Sequence, residues 1–343
     1  NHVMKRTLAI LIALAMSVMM LTACGSKDGT SGTPDNSGDA NQTSTGSYPG
    51  NKNITLYCGY SAGGSSDTLC RLLAAKVGEK LGTTVTVENV TGASGWVMWN
   101  QMMESTKPDG YSFFLINSPN VTTGKYDPDN TMKYDQNDFE MICNEVTDSN
   151  CLAIRVDDDR YSDWDSFAAY WKQAGSLITS ASGLGITSDD ATADMLVAND
   201  LGVDVDIIAS GGSGDNVTFL LNGTTDFLMG NVSEMVAAHN DGQFKILCVF
   251  AEERDSNLPD VPTYEELTGN LVVGCSSRGY AMLKDVPDDI KQILGDAVKA
   301  AVQDPDLIEQ LNAIYTTTDY KEGQEYVDYM NQQQQQARET WGV

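Results

Sequence analysis

The sequence predicts an α/β protein in which apolar strands alternate with amphipathic helices. Strand–helix–strand units recur from Ile54 onwards, and the same rhythm begins again after Cys151. Glycine-rich turns join several of the strands to the helix that follows. Repeated units of this kind imply a largely parallel sheet that helices cover on both faces.

The first half of the folded part predicts three strands separated by two helices. Leucines recur at helical spacing up to Leu81, and Gly82 then ends the first helix. The predicted strands are 54–58, 84–88 and 111–116, and the predicted helices are 67–81 and a helix from the glycine turn at 91–95 to about 104.

The second half repeats the pattern. The predicted strands are 152–156, 177–180, 205–209, 227–229 and 246–250, and the predicted helices are 162–173, 188–201, 215–221 and 287–302. Pro287 is suited to the start of its helix. Two further helices close the chain. The last contains the run Gln332 to Gln336, which we interpret as a solvated helical face.

The N-terminal residues have the zones of a secretory signal. A basic pair, Lys5 and Arg6, precedes an apolar run from Leu8 to Leu21. Small residues then lead to Cys24, as in a lipobox, where the cysteine is acylated and becomes the new N-terminus. A transmembrane anchor is the alternative, but the run is short for a span of about 20 residues. Residues 1–23 are therefore predicted to be a signal peptide.

Residues 24–51 are predicted to be a disordered tether. They are mostly Gly, Ser, Thr, Asp and Asn, with too few large apolar side chains to bury a core. A flexible coil of about 27 residues spans roughly 30 Å on average. The prediction is a domain held to the outer face of a membrane, on a cell surface or in a periplasm.

The charge excludes one class of partner. The formal net charge is −27. Loss of Lys5 and Arg6 with the signal leaves 19 basic against 48 acidic residues, or −29. Nucleic-acid binding requires clustered cations, so no nucleic-acid partner is expected. Anionic lipid would also repel the folded part, so the acyl chain provides the anchoring.

The cysteines show no metal-binding spacing, and we expect no metal and no cofactor. The mature chain keeps Cys58, Cys70, Cys143, Cys151, Cys248 and Cys275 besides the acylated residue. Disulfides are permitted outside the cell. Cys143 and Cys151 flank a predicted hairpin and are the best candidate pair. Buried thiols on strands are the alternative, which we favour for Cys248.

Catalytic groups are scarce. His239 is the one histidine after the signal, so a Ser-His-Asp arrangement rests on it alone. It lies at the predicted end of a helix, where a cation favours the helix dipole, and a structural role fits that position. We expect no enzyme. A surface-anchored hydrolase with His239 as base is the minor alternative.

Three glycine-rich turns between a strand and a helix suggest anion binding. They are Ser61–Asp67, Gly183–Ser188 and Gly211–Asp215. Glycines allow backbone N–H groups to converge, and the helix N-terminus behind them adds positive potential. A single turn of this kind is explained by chain geometry alone. Three, divided between two halves, favour a carboxylate held from both sides.

Residues 53–343 resemble the solute-binding receptors of tripartite tricarboxylate transporters, the TctC or Bug family. The matching segments are Tyr60-Ser61-Ala62-Gly63-Gly64-Ser65-Ser66-Asp67, Arg71-Leu72-Leu73-Ala74, Leu81-Gly82, Val87-Glu88-Asn89, Gly92-Ala93-Ser94-Gly95, Lys107-Pro108-Asp109-Gly110-Tyr111, Gly183-Leu184-Gly185, Gly211-Gly212, Leu220-Leu221-Asn222-Gly223, Asp226-Phe227 and Leu258-Pro259-Asp260-Val261-Pro262-Thr263. Each motif alone is loose, but their order and spacing together are specific.

The resemblance implies a periplasmic-binding-protein type II-like fold with two α/β lobes joined by crossover strands. Lobe 1 would contain residues 52–151 and 277–343, and lobe 2 residues 152–276. The two lobes would close on a small organic acid. The receptor would be a monomer and would deliver this acid to membrane permease subunits. The implied ligand-binding residues are Tyr60, Ser61, Ala62, Gly63, Gly64 and Asp67 in lobe 1, and Gly183, Gly185, Ser188, Gly211 and Gly212 in lobe 2.

Departures from the family pattern bear on the ligand. Tyr60-Ser61 stand where the family has Phe-Pro, and Ile186 and Asp189 stand where it has Ser and His. An added carboxylate and a lost hydroxyl both weaken the case for citrate or another multiply charged acid. Arg278 replaces a usual aromatic and would pair either with a ligand carboxylate or with a surface acid. A receptor for an amino acid, with Asp189 at the ammonium group, is the alternative ligand class.

Overall fold

A computed structural model describes residues 48–129 and 131–343. The predicted signal peptide, Cys24 and nearly all of the predicted tether lie outside these described residues. Within the two ranges, no helix has the combined length and hydropathy that a membrane span requires.

The described residues alternate strands and helices, which confirms the α/β fold class. The strands are β1 (Ile54–Cys58), β2 (Val85–Asn89), β3 (Ser112–Ser118), β4 (Glu140–Arg155), β5 (Ser176–Ala181), β6 (Asp204–Ala209), β7 (Leu228–Asn231), β8 (Phe244–Val249), β9 (Cys275–Met282) and β10 (Thr318–Glu322). The helices are α1 (Ser65–Leu81), α2 (Trp96–Ser105), α3 (Asn120–Thr123), α4 (Trp164–Ala174), α5 (Asp189–Leu201), α6 (Ser213–Leu221), α7 (Val232–Asn240), α8 (Tyr264–Thr268), α9 (Asp288–Val302), α10 (Pro305–Asn312) and α11 (Gly323–Trp341).

Local sequence explains why these elements start and stop where they do. α1 buries Leu69, Leu73 and Val77 against the sheet. It ends at Gly82, whose left-handed φ of 64° lets its N–H reach the Gly78 carbonyl. α4 begins at a reciprocal capping box, in which the Asp163 side chain accepts from the N–H of the third helical residue.

The central sheet is mixed rather than largely parallel. Its strand order is β10-β4-β9-β3-β1-β2, and β7 and β8 also pair with β4. β1 pairs in parallel with β2 and β3, as βα units require. Every pairing of β4 and β9 is antiparallel, so the expectation of a largely parallel sheet is wrong at the centre. Parallel neighbours need a crossover between them, whereas β4 and β9 run from one half of the chain into the other.

Buried apolar side chains form separate groups in the two halves. One group draws on residues 54–146 and 280–330. Two further groups draw on residues 151–272. β4 contributes Val146 to the first group and Leu152 to the second. This strand therefore connects the two sets of core residues.

The predicted disulfide between Cys143 and Cys151 is wrong. Both residues lie in the single strand β4, where a hairpin was expected, and both are free thiols. Eight residues of strand cover about 26 Å at ~3.3 Å per residue. A disulfide requires α-carbons within about 7 Å. Cys248 is a buried thiol on a strand, as favoured.

The glutamine run in α11 is not a purely solvated face. The amide of Gln333 donates to the Tyr329 hydroxyl at 2.7 Å, and the Gln333 carbonyl accepts from Ser118 at the end of β3. Gln336 donates to the Val273 carbonyl at 2.9 Å. Only Gln332 and Gln335 of the run are exposed. The last helix thus packs with its amides against the ends of β3 and β9.

Candidate functional site

Three neighbouring strands place polar side chains on one face of the central sheet. Asn117 of β3 lies opposite Arg278 of β9, and Asp148 of β4 lies opposite Ser276 of β9. Opposed residues share a face of the sheet, and so do residues two apart on one strand. These four residues are called the Arg278 face.

Polar atoms of the Arg278 face are buried without partners. Arg278 is only 9 % exposed, and its Nε donates no hydrogen bond within the described residues. The Oδ1 atom of Asn117 and the Oγ atom of Ser276 are unpaired in the same part of the chain. Buried polar groups of native proteins are nearly always hydrogen-bonded. A buried guanidinium with a free donor is therefore suited to a ligand carboxylate, and pairing with a surface acid is not observed.

Tyr60 extends the Arg278 face toward the first glycine turn. Its hydroxyl accepts from Asn117 Nδ2 at 2.9 Å and donates to the Ser94 carbonyl at 3.2 Å. Burial raises the pKa of Tyr60, although Asn117 and the charge of Arg278 act in the opposite direction. The phenol is therefore neutral at physiological pH, and its hydroxyl links Asn117 to the Ser94 carbonyl.

The segment that receives the Tyr60 hydroxyl has an unusual backbone. Four consecutive residues have positive φ: Gly92 at 135°, Ala93 at 45°, Ser94 at 53° and Gly95 at 99°. Non-glycine residues in this region cost about 1–3 kcal/mol each and cluster at functional sites. Sequence analysis identified this segment as a glycine turn and as part of the family resemblance, and missed its contact with Tyr60.

The first glycine turn is ordered by Asp67, which sequence analysis assigned to ligand binding. Asp67 accepts from Gly63 N at 2.8 Å, Arg71 Nε at 2.8 Å and Asn89 Nδ2 at 2.9 Å. Burial raises the pKa of Asp67, but these hydrogen bonds outweigh it and hold the pKa at about 2. The Asp67 carboxylate is thus occupied within its own turn and positions it.

The hydrogen bonds within the first glycine turn leave fewer of its backbone N–H groups free to bind an anion. Gly63 N is bound to Asp67, and Gly64 N donates to the Ser61 carbonyl at 3.2 Å. The predicted role of these two N–H groups as anion donors is therefore not supported. The N–H groups of Ser61 and Ala62 donate no hydrogen bond within the described residues, and both residues are exposed.

The third glycine turn repeats the first. Gly211 N donates to Asp215 Oδ2 at 2.9 Å, which is the same Gly-to-Asp spacing of four residues as Gly63 and Asp67. Gly212 N approaches Ser210 Oγ at 3.4 Å. The N–H of Gly211 is therefore occupied, and the predicted role of Gly211 as an anion donor is not supported.

The second glycine turn keeps its donors free. The N–H groups of Gly183 and Gly185 form no hydrogen bond within the described residues. Ser188 is the N-cap of α5, and its Oγ accepts from Ala191 N at 3.2 Å. Asn120 of α3 donates to the Thr187 carbonyl at 3.2 Å, so this turn meets an element of the first half.

Asp189 is held beside the second glycine turn by two amides. Its Oδ2 accepts from Asn150 Nδ2 and from Asn231 Nδ2, each at 3.0 Å. The charge of Asp189 also affects the pKa of Tyr60, so the two predicted site residues lie near each other. Asn231 Nδ2 also donates to the Asp148 carbonyl at 3.1 Å, so Asp189 lies beside the Arg278 face.

Asp148 lies on the Arg278 face and was missed by sequence analysis. Burial raises its pKa to about 6, against the opposing effects of Arg278 and of hydrogen bonds from Ser233. Ser233 N donates to Asp148 Oδ1 at 3.1 Å, at the N-terminus of α7. Asn117 and Ser276 were also missed. The one available signal was a polar residue, Asn117, at the end of the apolar strand 112–118.

A separate cavity of about 440 Å³ lies between α5 and α11. Asp189 is the one predicted site residue in its lining, and Arg278 does not reach it. The glutamine amides that line this cavity are largely hydrogen-bonded, since Gln333 and Gln336 already bond to protein groups. We assign the candidate site to the Arg278 face, where buried polar atoms remain unpaired.

His239 has a structural role. It lies in the last turn of α7, as expected, and its Nδ1 accepts from Ile246 N at 3.2 Å. This bond ties the end of α7 to β8. The described residues contain no group of three or more His, Cys, Asp or Glu side chains arranged to hold a metal ion.

Comparison with known proteins finds a matching protein family. The family model described as "Tripartite tricarboxylate transporter family receptor" matches residues 69–340. The protein from the gbd 5′ region of Cupriavidus necator is 30% identical over 281 residues, covering 80% of this chain and 82% of that relative.

Solved structures share the fold. A TctC solute-binding protein from Polaromonas is 27% identical with a TM-score of 0.72, covering 85% of this chain and 98% of that one. R. palustris Rpa4515, solved with adipate, is 20% identical with a TM-score of 0.74, covering 86% and 99% of the two chains.

Proposed function

Because the chain belongs to the tripartite tricarboxylate transporter receptor family, we propose that it binds a small organic carboxylate and delivers it to the membrane permease of such a transporter. The buried, unpaired guanidinium of Arg278 is the observation that carries the ligand class. A charge-assisted bond to a carboxylate satisfies a buried guanidinium, which no neutral ligand does as well.

The proposed ligand bridges the two halves of the molecule. Its carboxylate lies against Arg278, within reach of the free N–H groups of Ser61 and Ala62. The second half contributes the free N–H groups of Gly183 and Gly185. In this proposal residues 52–151 and 277–343 form one lobe, residues 152–276 form the other, and β4 and β9 are the crossover strands between them.

The finer statements about location are also proposals. Residues 1–23 act as a signal peptide, Cys24 carries the lipid, and residues 24–51 form the tether. The receptor is then a lipid-anchored, extracytoplasmic monomer without enzymatic activity. A tether of roughly 30 Å raises the effective concentration of the receptor near its permease.

An amino acid is the second candidate ligand. Asp148 belongs to the Arg278 face, and Asp189 lies close enough to Tyr60 for its charge to raise the pKa of that phenol. A carboxylate on Arg278 and an ammonium group toward Asp189 would match these charges. Amino acids therefore belong in the same ligand panel as simple acids.

Arg278→Gln tests the proposal. A thermal-shift panel of mono- and dicarboxylates, amino acids and sugars first identifies a ligand, since ligand at 100 times Kd adds about 2.7 kcal/mol of stability. We expect Arg278→Gln to raise the Kd of that ligand roughly 10- to 100-fold in calorimetry, because a hydrogen bond to a charged group is lost.

Arg254→Gln is the matched control. Arg254 is exposed and pairs with Glu266, so its loss is expected to leave Kd unchanged. Circular dichroism establishes that both variants are folded. Response of the wild-type protein to sugars but to no carboxylate, or an unchanged Kd in Arg278→Gln, would contradict the proposal.

A further inference from the structure

Two carboxylates lie beside Arg278 without forming an ion pair with it. Asp148 is a diagonal neighbour of Arg278 across the β4–β9 pair, because Asp148 faces Ser276 and Arg278 faces Val146. Such neighbours are about 7–8 Å apart, within the reach of a long side chain. Asp189 lies near Asp148, because Asn231 Nδ2 donates both to the Asp148 carbonyl at 3.1 Å and to Asp189 Oδ2 at 3.0 Å.

Both carboxylates are fixed in place by other partners. Asp148 accepts from Ser233 N at 3.1 Å and from Ser233 Oγ. Asp189 accepts from Asn150 Nδ2 and Asn231 Nδ2 at 3.0 Å each. Both carboxylates therefore have hydrogen-bond partners other than Arg278. The described residues contain no ion pair to the Arg278 guanidinium. The positive charge therefore remains available, while two negative charges stay near it.

The protonation states decide the charge that a ligand meets. Burial raises the pKa of Asp148 to about 6, so it is mainly ionised at neutral pH. Burial raises the pKa of Asp190 well above its ordinary value, which favours its neutral form. Arg278 thus has the mainly ionised carboxylate of Asp148 as its diagonal neighbour, and one ligand carboxylate is the most that its single positive charge can neutralise.

We propose that Asp148 and Asp189 are specificity-determining residues that restrict the site to acids with one carboxylate and an uncharged or cationic far end. A second ligand carboxylate would lie near Asp148 or Asp189 in a site with low dielectric, where like charges repel strongly. This inference rests on the proposed function, and it separates the chain from its structural relative that was solved with the dicarboxylate adipate.

Matched ligand pairs test the inference. Each pair is a dicarboxylate and its monoamide, such as succinate with succinamate and adipate with adipamate. The measured quantity is the ratio of the two Kd values at pH 8, in which the effects of ligand length and shape largely cancel. We expect the dicarboxylate to bind at least 10-fold more weakly to the wild-type protein.

Asp148→Asn and Asp189→Asn are each expected to lower this ratio about 10-fold. Asp241→Asn makes the same charge change at an exposed residue after α7 and is expected to leave the ratio unchanged. Asp189 is half-buried, so Asp189→Asn remains informative if loss of the buried Asp148 carboxylate prevents folding.

The outcomes are distinct. A wild-type protein that binds the dicarboxylates more tightly, or a ratio that both folded variants leave unchanged, would overturn the inference while leaving a carboxylate receptor in place. Failure of every acid and every monoamide to bind would overturn the proposed function itself, and the inference with it.

Discussion

Asp67 and Asp148 are both buried aspartates, and their surroundings give them opposite proton affinities. Asp67 receives hydrogen bonds from Gly63, Arg71 and Asn89, which hold its pKa at about 2 despite burial. For Asp148 burial prevails and raises the pKa to about 6. A residue type alone therefore does not predict a role, since the number of donors around it decides its charge.

Asp67→Asn tests how much the charge of Asp67 contributes to stability. The pKa of Asp67 is lower than its ordinary value of 3.8, so the ionised group stabilises the fold above about pH 4, and this contribution is lost as pH falls through about 2. We expect Asp67→Asn to reduce the free energy of unfolding by about 2 kcal/mol at pH 7 and by much less at pH 2.5.

Urea unfolding at the two pH values measures this effect. Asp306→Asn is the control, because Asp306 is exposed and its pair with Lys76 lies on the surface. Surface pairs of this kind contribute little. An equal loss of stability at both pH values would mean that Asp67 acts by packing rather than by its charge.

At the scale of one element, α11 shows how a polar helix is held against a sheet. Tyr326 and Met330 enter the first core group, while Gln333 binds groups on β3 and β9. Farther along, Trp341 Nε1 donates to Thr192 Oγ1 of α5 at 3.1 Å. The helix therefore contacts elements from both halves of the chain.

Gln333→Ala and Gln335→Ala form a matched pair on this helix. Gln333 satisfies Ser118, Cys275 and Tyr329, whereas Gln335 is exposed and bonds only to Glu339. Loss of a partner for buried polar groups costs about 1–3 kcal/mol. We expect that loss for Gln333→Ala in urea unfolding, and a change within about 0.5 kcal/mol for Gln335→Ala. Equal effects would contradict the structural role of Gln333.

The whole molecule is strongly acidic, and it keeps some of its acids protonated in the interior. Burial raises the pKa of Glu145 to about 8, against a hydrogen bond from Tyr280. Burial also raises the pKa values of Asp190 and Asp194 well above their ordinary range. The folded chain therefore binds protons that the unfolded chain has released at neutral pH.

This difference predicts the pH dependence of global stability. The pKa of Glu145 is 4.5 when unfolded and about 8 when folded, so its contribution is fully present below about pH 4.5 and is lost as pH rises through 8. We expect the free energy of unfolding to fall by about 3 kcal/mol between pH 6 and pH 9 from this residue.

Glu145→Gln is expected to flatten the curve in that range, because glutamine keeps the shape of the neutral acid. Glu79→Gln, at an exposed position on α1, is expected to keep the wild-type slope. Denaturant titrations at pH 6, 7, 8 and 9 measure both. A slope that Glu145→Gln leaves unchanged would show that another group takes up the proton.

Much of the fold could be predicted from the sequence because burial has a local signature. The α/β class, the glycine turns and most helix and strand bounds followed from periodicity and from residues such as Gly82. Only the end of the strand 140–155 was predicted, as 152–156, because the polar residues before it, including Asp148 and Asn150, break the apolar pattern. These residues are buried because β9 and α7 cover them. Both elements are distant in the sequence, so no local sequence pattern predicts this burial.

The sequence by itself determined the class of fold and the family resemblance, and it nominated Tyr60, Asp189 and Arg278 as candidate site residues. Only the tertiary structure decided what these residues can do. Asn117 and Arg278 are far apart in the chain and meet across two antiparallel strands. Whether a charged side chain is paired or free depends on such distant atoms, because hydrogen bonds and Coulomb forces act over a few ångströms in space. That is why Asp67 supports its own turn, Gln333 is a hydrogen-bond partner of β3 and β9, and Arg278 has no ion pair among the described residues.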